Sequence, residues 1–108
     1  MGTLSTHVLD TSTGRPAQGL TVTLESASGQ SLGTGTTDAD GRIPSIGPER
    51  LDAGDYRLRF DTGAWFAATG TRGFYPEVTI AFTVADAEEH YHVPLLLNPF
   101  GYSTYRGS

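Results

Sequence analysis

Three segments of the chain alternate apolar and polar residues with a period of two. Leu20, Val22 and Leu24 alternate with Thr21, Thr23 and Glu25; Tyr56, Leu58 and Phe60 with Arg57 and Arg59; Val78, Ile80, Phe82 and Val84 with Thr79, Ala81 and Thr83. Successive side chains of an extended strand point to opposite faces, so each run offers one face to a core and one to water. Between the runs stand turn signals at Thr13-Gly14-Arg15-Pro16, Ser28-Gly29, residues 38–41 and Ala53-Gly54-Asp55. Their spacing is that of a sandwich. The expected fold class is all-β, a two-sheet antiparallel sandwich.

Further strands are expected at residues 5–10 and 91–97, a weaker one at 31–37, a short extension after Arg42, and a last one at 101–106 behind the turn Asn98-Pro99-Phe100-Gly101. One helix is expected over residues 62–69, capped by Asp61, stopped by Gly70 and turning Trp65 and Phe66 inward. A chain of 108 residues buries roughly two-thirds of its unfolded surface and needs no staples. It shows no internal repeat, low-complexity segment or linker, so residues 1–108 are expected to form a single domain.

Composition removes several kinds of chemistry. The chain has no cysteine, which excludes disulfides, a thiol nucleophile and thiolate metal sites. All seven basic residues are arginine, which excludes Schiff-base chemistry and a lysine base. The net charge of -5 comes with no basic cluster, so nucleic acid is not an expected partner. No apolar run reaches the ~18 residues of a membrane span, and neither a presequence nor a Ser-Lys-Leu address is evident. A cytoplasmic location is expected.

Candidate chemistry sits on the terminal strands. With Tyr91, Val93, Leu95 and Leu97 facing a core, His92 points away from it, in company with His90, Pro94 and Leu96. On residues 5–10 we take Val8 as inward, which puts His7 outside; the reversed register would turn His7 and Leu9 in. On the last strand Ser103, Tyr105 and Gly107 share one face. Imidazole titrates near neutrality, with a reference pKa of ~6.5, so His7 and His92 suit proton transfer. Each, taken alone, is more often a structural or surface histidine. Arg42 follows the turn Asp38-Ala39-Asp40-Gly41 and can hold a carbonyl or an oxyanion through its fork of donors, although it cannot serve as a base. A calcium loop is disfavoured, because its sixth position from Asp38 would be Ile43 instead of glycine. His7, His90 and His92 also raise a zinc alternative, since a strand His-x-His places two imidazoles on one face. No serine lies in a nucleophile elbow, and no glycine loop leads into a helix to cradle phosphate.

The segments Gly14-Arg15-Pro16-Ala17-Gln18-Gly19-Leu20, Thr37-Asp38-Ala39-Asp40-Gly41-Arg42 and Ala53-Gly54-Asp55-Tyr56 resemble prealbumin-like sandwich modules in general. The ends are more specific. Ser5-Thr6-His7-Val8-Leu9-Asp10 and His90-Tyr91-His92-Val93-Pro94-Leu95-Leu96-Leu97, continuing through Asn98-Pro99-Phe100-Gly101-Tyr102-Ser103-Thr104 to Tyr105-Arg106-Gly107-Ser108, resemble the signature segments of the 5-hydroxyisourate hydrolases of the transthyretin-like family. The resemblance covers essentially the whole chain.

It implies a transthyretin-like sandwich of about eight strands with one short helix. It also implies a homotetramer, a dimer of dimers with sites at the dimer interface. The implied reaction is hydrolysis of 5-hydroxyisourate to 2-oxo-4-hydroxy-4-carboxy-5-ureidoimidazoline in urate degradation, by water attack on a ring amide carbonyl and without cofactor or metal. The implied site residues are His7, Arg42, His92, Tyr105 and Ser108. His7 and His92 would share the proton work, Arg42 would bind substrate and steady the oxyanion, and Tyr105 would orient water or substrate. Ser108 or the terminal carboxylate would complete the pocket. His90 is given no role by the resemblance. The rival readings are a transthyretin-like carrier, which lacks this set of residues, and a structural sandwich module.

Overall fold

The computed structural model describes residues 3–107. Among them nine strands and one helix follow in the order β1 (Leu4–Asp10), β2 (Arg15–Pro16), β3 (Thr21–Ser26), β4 (Ser31–Thr36), β5 (Arg42–Ile43), β6 (Gly54–Phe60), α1 (Thr62–Ala68), β7 (Val78–Val84), β8 (Tyr91–Asn98) and β9 (Gly101–Thr104). One sheet has the order β2-β1-β8-β9, with β5 also pairing β1; the other has the order β4-β3-β6-β7. The expected two-sheet sandwich with a single short helix is the observed architecture, and two of its strands, β2 and β5, are two residues long.

The faces follow the alternation. Val22, Leu24, Leu58, Phe60, Val78, Ile80 and Val84 from one sheet meet Leu4, Val8, Tyr91, Val93, Leu95 and Leu97 from the other in one buried cluster. Each fully buried aliphatic or aromatic side chain contributes about 1.5–3 kcal/mol relative to leaving it in water. Phe82, expected inward, is only half buried and stacks on Tyr56 with ring centroids 6.0 Å apart. Thr6 is buried as well, and its hydroxyl donates to the Val93 carbonyl at 2.6 Å, which satisfies a polar group that would otherwise be costly in the core.

Alternation says nothing about strand direction, and there the structure adds a feature. Most pairs are antiparallel, but β1 and β8 run parallel, with Leu4 opposite Tyr91, Ser5 opposite His92, Thr6 opposite Val93 and His7 opposite Pro94. A parallel partner requires a long crossover. The whole second sheet and α1 serve as that crossover.

Two local expectations are corrected. Residues Arg15 and Pro16, expected in a turn, form β2 against Asp10 and Leu9. The reversal is completed earlier, where the Gly14 amide donates to the Asp10 carbonyl at 2.8 Å. Asp61 occupies the N-cap position of α1 but its side chain makes no capping bond. The Gly63 amide, one of the donors a cap would take, is instead held by the Pro76 carbonyl at 2.9 Å, and the Thr62 hydroxyl donates to Tyr75. The other end behaves as expected: Gly70 donates to Ala67 and Thr71 to Phe66, the paired bonds of a Schellman stop. Phe66 is buried and Trp65 half buried, its indole N–H donating to the Gln18 carbonyl at 2.8 Å.

Candidate active site

The turn after β4 determines where Arg42 stands. One Asp38 carboxylate oxygen accepts from the amides of Asp40 and Arg42, each at 2.9 Å, and the Gly41 amide returns to the Asp38 carbonyl. Gly41, at φ 74°, then brings its carbonyl to the Val8 amide at 2.7 Å. β5 is thereby laid on β1 with Arg42 opposite His7. His7 has Pro94 across its other edge, so Arg42, His7 and the β8 histidine strand lie side by side on the outward face.

A hollow of about 300 Å³ opens there, lined by Ser5, Thr6, Arg42, Ile43, Pro44, His90 and His92. Ser5 lies at its floor. The Ser5 hydroxyl is 2.7 Å from His92 Nδ1 and 2.9 Å from His90 Nε2, and His90 Nδ1 bonds the Thr3 hydroxyl. Of the expected residues, Arg42 and His92 line this hollow together and His7 adjoins Arg42. Ser5 and His90 were not among the expected site residues. Both fall on the outward faces by alternation, but His90 entered only the zinc alternative, and a serine carries no mark of function until β1 and β8 are placed in register.

His92 is held below the ordinary histidine pKa of 6.5. Its burial disfavours the charged ring, and the nearby Arg42, His7 and His90 oppose a further positive charge. A hydrogen bond with Ser5 works weakly the other way. Because the folded pKa lies below the unfolded one, the unfolded chain binds more protons in the window between them. The shift leaves stability unaffected above the unfolded pKa and subtracts from it as the pH falls toward the folded value. Titrating the imidazole Cε1 protons by NMR is expected to show His92 ionising below pH 6.5; a midpoint above 6.5 would contradict the electrostatic assignment.

The tail reaches the hollow from the other side. Gly107 bridges His92 in the same register in which β9 pairs β8, and its amide donates to the His92 carbonyl at 2.9 Å. A methyl group at Gly107 would stand 2.4 Å from His92 Cδ2 and 3.1 Å from Cγ. Only glycine lets the tail lie on the imidazole. Arg106 anchors it, with its guanidinium 4.7 Å from the centre of the Tyr91 ring and one nitrogen 3.3 Å from Glu89. Tyr105 is exposed and lines a second, apolar hollow with Ile80, Phe82, Val93 and Arg106 that meets the first at His92. Ser108 lies outside the described residues. Gly107→Ala is expected to displace the ring and lower turnover by roughly tenfold to 100-fold, the cost of an ångström-scale misplacement, while melting temperature moves little. Unchanged turnover would show that His92 tolerates the displacement.

Among the described residues no group of three or more His, Cys, Asp or Glu is placed to hold a metal ion, and no helix is long and apolar enough to cross a membrane.

The pattern of the HIUase/Transthyretin family matches residues 4–107. The chain belongs to this family. Within the HIUase/Transthyretin family, the 5-hydroxyisourate hydrolase of Salmonella dublin is 50% identical over 109 residues, covering 97% of this chain and 80% of its own. The solved 5-hydroxyisourate hydrolase of Klebsiella pneumoniae superposes with a TM-score of 0.91 at 46% identity, covering 99% of this chain and 100% of its own. Transthyretin from Sparus aurata superposes with a TM-score of 0.87 at 33% identity, covering 96% of this chain and 95% of its own. The fold is therefore common to hydrolases and transthyretins, and function must be argued from the site.

Proposed function

We propose that this chain hydrolyses 5-hydroxyisourate, opening its ring by attack of water on a ring amide carbonyl to give 2-oxo-4-hydroxy-4-carboxy-5-ureidoimidazoline. The observation that carries the reading is a cation and an imidazole with a depressed pKa on one polar hollow, Arg42 beside His92. The half-identical hydrolase supplies the substrate. A base must be uncharged to accept a proton from water, and the surroundings of His92 keep it so at neutral pH. Arg42 stays protonated and cannot act as a base, and its role is to bind the carbonyl and stabilise the oxyanion as water adds. His7, next to Arg42, shares the proton work by holding or protonating the ring. Tyr105, from the adjoining apolar hollow, and Ser108 are assigned the placing of water and substrate. No metal or organic cofactor enters this scheme.

The same reading takes the protein as a cytoplasmic homotetramer, a dimer of dimers with sites between dimers. Two features support assembly. Among the described residues β7 and β9 each stand at the end of their sheet, and open edges invite pairing. Phe100, Tyr102 and Tyr105 stand exposed on or beside β9. Light scattering coupled to size exclusion is expected to give four chains; an active monomer would remove this part of the scheme.

The test generates 5-hydroxyisourate in place with a urate oxidase and follows its decay by absorbance. Decay far faster than the spontaneous rate, unaffected by chelator, is expected. A trace identical with and without the protein would leave a transthyretin-like carrier, and loss of rate with chelator would revive the zinc alternative.

A further inference from the structure

The histidine that the resemblance leaves without a role, His90, is joined to His92 through one hydroxyl. Ser5 Oγ lies 2.7 Å from His92 Nδ1 and 2.9 Å from His90 Nε2, and the far nitrogen of His90 bonds Thr3. The contacts depend on the parallel register that sets Ser5 opposite His92. Ser5 is buried, whereas His90 is exposed to solvent.

A serine hydroxyl has one proton to donate. If it donates to one imidazole it accepts from the other, so the chain from Thr3 through His90 and Ser5 to His92 has two complete directions. In one, His92 carries its proton on Nδ1 and presents a bare Nε2, able to accept. In the other it presents Nε2–H, able to donate. Hydrolysis of an amide needs both states in turn, first for the water and then for the leaving nitrogen.

We propose that Ser5 and His90 form a proton relay behind His92, with Ser5 setting the His92 tautomer and His90 holding the transferred proton during the reaction. The proposal rests on the reading above, in which His92 performs proton transfer. As the water oxygen bonds to the carbonyl carbon, His92 Nε2 takes one water proton. The Nδ1 proton passes to Ser5 Oγ, and the Ser5 proton passes to His90 Nε2. His92 stays neutral and the positive charge resides on His90. When the ring C–N bond breaks, its electron pair stays on nitrogen, which receives the Nε2 proton. As Nε2 gives up that proton the shift reverses in concert, His90 returning its proton through Ser5 to His92 Nδ1, so that His92 stays neutral throughout.

The arrangement resolves an electrostatic conflict. An imidazolium at His92 is opposed by burial and by the charge of Arg42, yet a base must take up a proton. Passing the charge to an exposed imidazole lets water solvate it. Ser5 and His90 touch no substrate in this scheme. They are positioning residues acting through His92.

Four variants and one spectrum test the relay. In ¹⁵N NMR of the imidazoles, His92 of the resting protein is expected to be mainly the Nδ1–H tautomer, and Ser5→Ala is expected to mix the tautomers. Ser5→Ala should lower kcat about tenfold to 100-fold, the range seen when a partner that orients a metal-bound imidazole is removed, with KM changed less than about twofold. Ser5→Thr, which keeps the hydroxyl, should restore most of the rate. His90→Gln keeps a hydrogen bond to Ser5 but cannot carry the proton. It should lower kcat and turn a curved solvent-isotope proton inventory into a linear one; being exposed, it tests the relay even if Ser5→Ala folds poorly. Wild-type kcat and proton inventory in His90→Gln would overturn the relay. If His92→Ala is inactive while Ser5→Ala and His90→Gln are not, the relay fails and the role of His92 stands. If His92→Ala is itself active, the parent reading fails.

Discussion

Replacing His92 by alanine is expected to lower kcat by about 10²–10⁴-fold, the contribution of a positioned acid or base, with the fold intact. His92 is half buried on the outward face of β8, and Tyr91, Val93 and Leu95 on the inward face hold the strand without it. Circular dichroism and melting temperature should therefore stay close to those of the parent. The ring is confined between the Ser5 hydroxyl on one side and Gly107 on the other, so the variant loses an imidazole already oriented in the resting protein. His92→Gln should be nearly as poor, since it fills the space but does not titrate. Arg42→Ala offers a contrast, because a group that binds the carbonyl and the oxyanion affects KM as well as kcat. A His92→Ala protein with parent turnover would end the proposal that this imidazole handles the proton.

Gly41→Ala is expected to cost about 4 kcal/mol or more, among the largest single-residue effects, and to lower the melting temperature by ~15 °C or more at the size of this chain. Two penalties coincide at Gly41. Its backbone is left-handed at φ 74°, and an added Cβ would stand 2.4 Å from the Val8 carbonyl oxygen, 3.0 Å from Pro16 and 3.2 Å from the Ala17 amide. That carbonyl already accepts from Ala17 at 2.9 Å, while the Val8 amide donates to Gly41 at 2.7 Å. The methyl would therefore part β5 from β1 and take Arg42 away from His7. Gly29→Ala is the control: its φ of 91° is also left-handed, but a Cβ there meets nothing within 4 Å, so only the backbone cost of about 1–2 kcal/mol remains. Equal stability of the two variants would show that the junction of β1, β2 and β5 yields to the extra carbon.

The tail Tyr105-Arg106-Gly107-Ser108 stands out in the sequence as a motif, but its contacts do not. Nothing in the order of those residues says that Arg106 turns back onto Tyr91 and Glu89, or that Gly107 is glycine because the His92 ring occupies the place of a side chain. Tyr105, grouped with His7 and His92 by alternation, lines the adjoining apolar hollow. Asp61 shows the converse. A good capping residue was in place, but the segment at Tyr75 and Pro76 had already taken the donors at the start of the helix.

The order of residues was enough to give the buried face of the long strands, apart from Phe82, the turns at Gly14, Gly29, Gly41 and Gly54, and a His92 turned away from the core; for His7 it left two registers open. These follow from a backbone repeat of two residues and from the torsional limits of glycine and proline, both of which act locally. Tertiary structure alone decided that β1 runs parallel to β8, which sets Ser5 against His92 across 87 positions of chain and brings Arg42 and His90 to the same hollow. Alternation specifies the face a side chain takes but neither its neighbour nor the direction of the neighbouring strand. Those depend on pairing between segments far apart in the chain, which a local repeat does not encode.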